Sequence, residues 1–265
     1  MDKLYVLGTG NAVVTKCYNT CFVLQLGEKR ILVDGGGGIG ILRALENAKI
    51  DIDTINDVFV SHKHTDHILG IIWIIRIIGK KLWKKEGVLN IYCHDECAKI
   101  IKSICSMILP KKTCDLFGSK IIFHILQHGD KKTICGSEFE FFDIFSHKAK
   151  QFGFNVKLAG GEKLVFLGDE PFNEKCLPFA QNPKWLLSEA YCLYSQREIF
   201  NPYEISHATV KEACENAKKL NAKNILMWHT DDTNIERRKE NYLSEGKEYF
   251  SGNIFVPNDG EIIEL

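Results

Sequence analysis

The stretch that most constrains this chain is Ser61-His62-Lys63-His64-Thr65-Asp66-His67, directly after the short apolar run Asp57–Val60. Three imidazoles and a carboxylate within six residues are costly in a packed core, where every polar group needs a partner. Crowded His and Asp mark metal or catalytic sites more often than solvated loops. The spacing adds geometry. Residues two apart in extended chain point the same way, so His62 and His64 can reach one ion. Asp66 and His67 fall where the next helix begins, and there the chain turns to face a neighbouring point. That suits two divalent ions. Imidazole with carboxylate fits zinc best, then manganese or iron.

The rest of the chain alternates strands with helices. Strands are predicted at Lys3–Leu7, Cys21–Leu26, Arg30–Val33, Asp57–Val60, Leu89–Cys93, Lys120–Leu126, Glu138–Phe145, Phe154–Leu158, Leu164–Leu167, Trp185–Leu187 and Asn224–Met227, with a final pair from Ile254–Val256 and Ile262–Leu265. Helices are predicted at Ile39–Ala48, Ile68–Ile78, Glu96–Ile108, Thr209–Leu220 and Ile235–Gly246. This pattern argues for an α/β (α+β) chain with sheets covered by helices. No linker or repeat interrupts residues 1–265, which read as a single domain.

Composition narrows the class. With 45% apolar and 26% charged residues, the chain is not disordered. Lys plus Arg equals Asp plus Glu at 34 each, so no global charge draws it to nucleic acid or membrane. The most apolar segment, Ile68 to Ile78, is too short to span a bilayer and carries Arg76. The ten cysteines include no C-x-x-C pair, and the N-terminus lacks a long apolar stretch. Free thiols in the cytoplasm are expected.

Three further ligand candidates follow predicted strands: His147 after Phe141–Phe145, Asp169 after Leu164–Leu167 and His229 after Asn224–Met227. Strand ends are the usual place for site residues in layered α/β folds. Each alone is weak, but together with the cluster they form a set. With H-x-H-x-D-H, Gly8-Thr9-Gly10, Asn19-Thr20 and Val33-Asp34-Gly35-Gly36, the chain resembles the metallo-β-lactamase-fold hydrolases, and among them the ribonuclease Z (tRNase Z)-like branch. The resemblance implies an αββα four-layer sandwich. It implies that His62, His64 and His147 hold one ion, that Asp66, His67 and His229 hold the other, and that Asp169 bridges them. A homodimer is also implied.

The branch shows in Leu186-Leu187-Ser188-Glu189-Ala190 and Ser206-His207-Ala208-Thr209, which resemble its H-E-A-T and H-S-T segments. Glu189 and His207 match, whereas Ser188 replaces a His. Asp66, Glu189 and His207 are therefore the catalytic candidates, with His207 as proton donor to a leaving group. The plainer reading of the second segment is a helix cap from Ser206 or Thr209. The expected reaction is phosphodiester hydrolysis on a nucleotide, an RNA end or another small substrate. Hydrolysis of an ester, thioester or lactam, or a non-catalytic metal-binding scaffold, are the alternatives.

Two features separate the chain from tRNA-processing relatives. Asp169 comes only 22 positions after His147, where the bacterial enzymes resembled carry a long arm. Thr230, Asp231 and Asp232 follow the last His, and two carboxylates there would repel a phosphate unless they face away or bind a metal. One basic stretch, Arg76 to Lys85 with Trp73 and Trp83, could grip a nucleic acid or nucleotide, although a solvated face is the plainer reading. Lys111-Lys112 and Arg237-Arg238-Lys239 read as solvated. His94, His124 and His128 have no ligand partners at recognisable spacing. The run Gly35 to Gly38 lacks the Lys-Ser/Thr ending of a P-loop and points to close packing near the metal loop.

Overall fold

A computed structural model describes residues 2–265. Its strands are β1 (Lys3–Gly8), β2 (Cys21–Leu26), β3 (Lys29–Val33), β4 (Asp57–Val60), β5 (Leu89–Cys93), β6 (Ile121–Ile125), β7 (Lys131–Ile134), β8 (Ser137–Asp143), β9 (Phe152–Lys157), β10 (Lys163–Phe166), β11 (Trp185–Glu189), β12 (Asn224–Trp228), β13 (Asn253–Phe255) and β14 (Ile262–Glu264). Its helices are α1 (Gly40–Asn47), α2 (Thr65–Leu82), α3 (Asp95–Ile108), α4 (Lys111–Cys114), α5 (Leu177–Ala180), α6 (Arg197–Phe200), α7 (Val210–Lys219) and α8 (Ile235–Gly246).

The strands form two seven-stranded sheets, ordered β14-β1-β2-β3-β4-β5-β6 and β13-β12-β11-β10-β9-β8-β7. The sheets pack face to face through Phe22, Phe59, Phe139, Phe141, Phe154, Phe166 and Trp228. Phe22 stacks on Trp228 across the interface at 4.8 Å between ring centres, and Phe59 meets Phe141 at 5.2 Å. The outer face of the first sheet is covered by α1, α2 and α3, and that of the second by α5, α7 and α8. This is the αββα sandwich expected from the sequence. It also explains why strands such as Cys21–Leu26 read as near-continuous apolar runs. Phe22 and Leu24 face the opposite sheet while Cys21 and Val23 face helices, so both faces are buried.

Besides the short helices α4, α5 and α6, which were not expected, β13, β14, β7 and α2 depart from expectation. Residues 254–256 and 262–265 do not pair with each other. β13 lies parallel to β12, whereas β14 lies antiparallel to β1 in the other sheet. The connection through Pro257, Asn258 and Gly260 carries the chain across, and Gly260 supplies the left-handed turn (φ 86°) that a side chain would strain. β7 was not foreseen. It is a short edge strand with exposed Lys131 and Lys132, the polar character that keeps an edge from pairing with other chains. Finally, α2 runs well beyond Ile68–Ile78 at both ends, taking in Asp66 and His67 at its start.

The start of α2 is fixed by two glycines in contact. A Cβ on Gly70 would lie 1.7 Å from the Gly35 carbonyl oxygen, and one on Gly35 would lie 2.5 Å from the Ile71 nitrogen. Gly35 N–H donates to His67 O at 2.8 Å and Gly70 N–H to Gly36 O at 2.9 Å. The glycine run is thus close packing beside the His/Asp loop, as its sequence suggested.

Candidate metal centre

Strand ends converge on one point. β4 leads into Ser61–His64, and His64 is the extended N-cap residue of α2. Asp34 after β3, Gly168 after β10 and His229 after β12 all have left-handed backbones, with φ of 57°, 83° and 55°. The turn bends each chain out of its sheet toward the cluster. For a non-glycine residue that conformation costs about 1–2 kcal/mol, so Asp34 and His229 must be held by their surroundings. Asp34 accepts from Ser61 N–H at 2.8 Å and from the Ser61 hydroxyl at 2.7 Å, and its Oδ2 lies 2.8 Å from His67 Nδ1.

His229 is held through its neighbour. Thr230 N–H donates to Thr9 O, and Thr230 O accepts from Asn11 N–H. The Arg238 guanidinium donates to the hydroxyls of Thr9 (3.0 Å) and Thr230 (2.9 Å), to Pro257 O (2.8 Å) and to Asn258 Oδ1 (3.1 Å). Arg238 is buried, not solvated as the Arg-Arg-Lys run suggested, because α8 turns this face inward against the sheet crossing.

Asp169 is the hub. Its Oδ1 accepts from the Gln151 amide nitrogen, which also lies 2.7 Å from His62 Nδ1. Its Oδ2 lies 3.4 Å from His62 Nε2, 3.4 Å from His67 Nε2 and 3.5 Å from His229 Nε2. Asp66 Oδ2 stands 3.2 Å from His67 Nε2 and 3.5 Å from His229 Nε2. The ligand atoms fall into two groups that share Asp169: His62 with His64, and Asp66 with His67 and His229. His67 Nε2 and both ring nitrogens of His229 are buried without a hydrogen-bond partner. Buried polar atoms rarely go unpaired, and imidazole nitrogens converging on carboxylate oxygens fit a metal ion. The His/Asp cluster can therefore hold metal.

Electrostatics agree. Burial drives His62 well below the usual histidine range and lowers His64 as well, so both rings favour the neutral form. Burial alone would raise Asp66 and Asp169, but the neighbouring imidazoles outweigh it and hold both carboxyls low. Burial opposes a proton on His67 too, yet Asp66 and Asp34 overcome it and push the ring well up. The field at the cluster thus favours positive charge.

Beside the cluster, His207 lies with Nδ1 3.3 Å from Glu189 Oε2 and its ring stacked on Tyr191 at 5.0 Å. Glu189 is fully buried, accepts from Ala208 N–H at 2.5 Å, and is pushed well above the usual carboxyl range by that burial. His207 is lowered by burial and then by Lys148, whose Nζ lies 3.3 Å from His207 Nε2. The cap of α7 is a reciprocal pair between Thr209 and Glu212, so His207 is free of that task. A cleft of about 620 Å³ opens over the centre, walled by Val13, Ile100, Tyr191 and Ile205 with Lys63 and Lys148.

Of the expected ligands, His147 alone is not brought in. Phe145 takes a left-handed turn after β8, and Ser146 Oγ accepts from the Lys148 and Ala149 amides. That tight turn leaves His147 exposed at its apex, beside Glu170 in a neighbouring hollow, while Lys148 and Gln151 face the centre. Asp34, Gln151, Lys148 and Arg238 are the residues that sequence reasoning did not place at the site. Asp34 alone carried a signal, through the Val33-Asp34-Gly35-Gly36 turn. Asp231 and Asp232 turn away from the cleft: Asp232 Oδ2 accepts from the Thr15 and Lys16 amides, and Asp231 from Thr233 N–H.

A two-sheet sandwich with a His/Asp cluster at its strand ends is the metallo-β-lactamase fold. Solved structures agree. The metallo-β-lactamase fold protein YhfI from Bacillus subtilis superposes with a TM-score of 0.80 at 22% identity, covering 100% of both chains. The short form of human tRNase Z superposes at 0.75 with 20% identity, covering 100% of this chain and 99% of that one. A curated relative, Ribonuclease Z of Thermococcus sibiricus, is 24% identical over 318 aligned positions, covering 100% of this chain and 97% of the relative. The family described as Anti-Pycsar protein Apyc1 matches residues 2–248, and this chain belongs to it.

Proposed function

We propose that the chain is a dinuclear metal-dependent phosphodiesterase acting on a small phosphodiester, a nucleotide or an RNA end. The observation that carries this reading is the single Asp169 oxygen facing imidazoles of both ligand groups, with His207 and Glu189 at the same cleft. His62, His64 and Asp169 would hold one ion; Asp66, His67, His229 and Asp169 the other. Zinc suits this donor set best. Such ions supply Lewis acidity toward phosphate oxygens and lower the pKa of water.

The remaining work falls to side chains. Gln151 fixes one Asp169 oxygen and leaves the other for the shared position. Glu189 stands 3.3 Å from His207 Nδ1, and with Lys148 drawn off Nε2 onto the substrate, Nε2 would be free to hold the proton for the departing oxygen. Lys148 places positive charge where a non-bridging phosphate oxygen would lie.

Size favours a small substrate. Between His147 and Asp169 the chain forms only the β9–β10 hairpin, and no arm projects there among the described residues. The cleft has the volume of a small-molecule site. The family description names its members as opposing Pycsar, and we take hydrolysis of such a substrate as the activity that serves that role. We read residues 1–265 as one domain, working in the cytoplasm as a homodimer. The free cysteines support a reducing compartment, and no helix is long and apolar enough to cross a membrane.

The test is elemental analysis beside hydrolysis of bis-p-nitrophenyl phosphate by wild type, His64→Ala and His207→Gln. About two metals per chain are expected in wild type, fewer in His64→Ala, and a full complement in His207→Gln with activity down about 10²–10⁴-fold. Bound metals with phosphodiesters untouched and thioesters or lactones hydrolysed would overturn the reading in favour of carbonyl chemistry.

A further inference from the structure

Toward the far end of α2, about 15–25 Å along the helix from Asp66, lies a second concave site. A hollow of about 300 Å³ opens between α2 and the Pro110–Thr113 segment, lined by Arg76, Lys80, Trp83 and Lys112. Arg76, Lys80 and Trp83 are spaced i, i+4 and i+7 on one face of α2. Among the described residues no carboxylate pairs with Arg76, Lys80 or Lys112. The nearby acids are engaged elsewhere: Asp53 pairs with Lys81, and Asp115 with Lys111 at 3.0 Å. Three cations thus share one hollow without a counter-charge, in a chain whose total charge is zero.

The indole adds a second requirement. Trp83 is 51% exposed, unusual for so large an apolar ring. Lys112 Nζ lies 3.9 Å from the ring centre, so a cation–π contact holds the indole at the rim. The floor is closely built, because a Cβ on Gly79 would meet Thr113 Cγ2 at 2.7 Å. An unpaired cation cluster seeks an anion, and an exposed indole beside it offers a stacking face for a planar ring.

We propose that this hollow binds a phosphorylated nucleoside, its phosphate against Arg76, Lys80 and Lys112 and its base on Trp83. The site is separate from the metal centre, and its occupancy does not depend on the function proposed for that centre.

The test titrates adenosine monophosphate, adenosine and inorganic phosphate into wild type, Trp83→Leu, Arg76→Glu and Lys112→Glu, read by tryptophan fluorescence and calorimetry. Saturable quenching by the monophosphate is expected, at least about tenfold tighter than by adenosine or phosphate alone. Quenching should vanish in Trp83→Leu, and affinity should fall at least about tenfold in each charge reversal. Metal content and bis-p-nitrophenyl phosphate hydrolysis should match wild type in all three variants. Binding that the variants leave unchanged, or equal affinity for phosphate and the monophosphate, would overturn the proposal. So would a single-stranded oligonucleotide that binds far more tightly with a steep salt dependence, because the face would then track a strand.

Discussion

Asp34 Oδ2 lies 2.8 Å from His67 Nδ1, so the end of β3 orients a candidate ligand carried by the first turn of α2. The same carboxylate holds Ser61 through both the amide and the hydroxyl. One side chain therefore sets the loop before the cluster and the ring at its end. Asp34→Asn should keep the fold, since an amide oxygen can still accept from Ser61. It should weaken the affinity of the Asp66–His67–His229 group for metal by about 10–100-fold, the usual cost of losing an outer partner of a ligating histidine. Titration of the apoprotein with zinc checks this. Affinity equal to wild type would remove Asp34 from the site.

Arg238 ties the Thr9 loop, Thr230 and the sheet crossing at Pro257–Asn258 with four hydrogen bonds. Arg238→Ala leaves buried acceptors unpaired and should destabilise the protein by at least about 2 kcal/mol. Arg238→Lys keeps the charge but loses the planar fork, so partial recovery is expected. Because Thr230 follows His229, metal affinity should fall with stability in both variants. Denaturant midpoints and zinc titration, measured together, decide it.

Gly70→Ala places a methyl group on the Gly35 carbonyl. Backbone rather than a flexible side chain is in the way, so α2 must shift. A loss of about 1–3 kcal/mol is expected, with metal binding impaired because Asp66 and His67 ride on that helix. Gly160→Ala is the control. Its Cβ would meet only the flexible end of Glu162, and it should be nearly neutral. Equal effects of the two substitutions would contradict the close approach.

His94 is fully buried at the N-cap of α3, with Nε2 3.1 Å from Cys97 Sγ and Nδ1 unpaired. Burial, then Lys150, lowers its pKa. The unfolded chain therefore binds a proton here more readily than the folded one. Stability should fall as pH drops from the unfolded histidine value near 6.5 toward the lower folded value. His94→Gln should lose less stability than wild type across that window. Urea midpoints at pH 7.5 and 5 for both proteins test it, and parallel losses would show that His94 does not contribute.

Much of this arrangement was legible in the chain. Ser61 to His67 pointed to a cluster able to hold metal, because so many His and Asp side chains in so few residues have few other uses. The apolar runs gave most strands and helices because both faces of each sheet are covered. What sequence could not supply was direction in space. His147 and Lys148 are neighbours, yet the turn at Phe145 and Ser146 sends the first outward and the second into the cleft. Arg238 looked like one more surface charge until α8 packed that face inward. Asp34 and His67 lie 33 residues apart, and the pairing of β3 with β4 and the contact of Gly35 with Gly70 bring them together. Local chemistry and periodicity are short-range properties that a sequence carries directly. Which strand pairs with which, and which side of a bend faces the His/Asp cluster, depends on packing between distant segments, and the folded structure alone decided those.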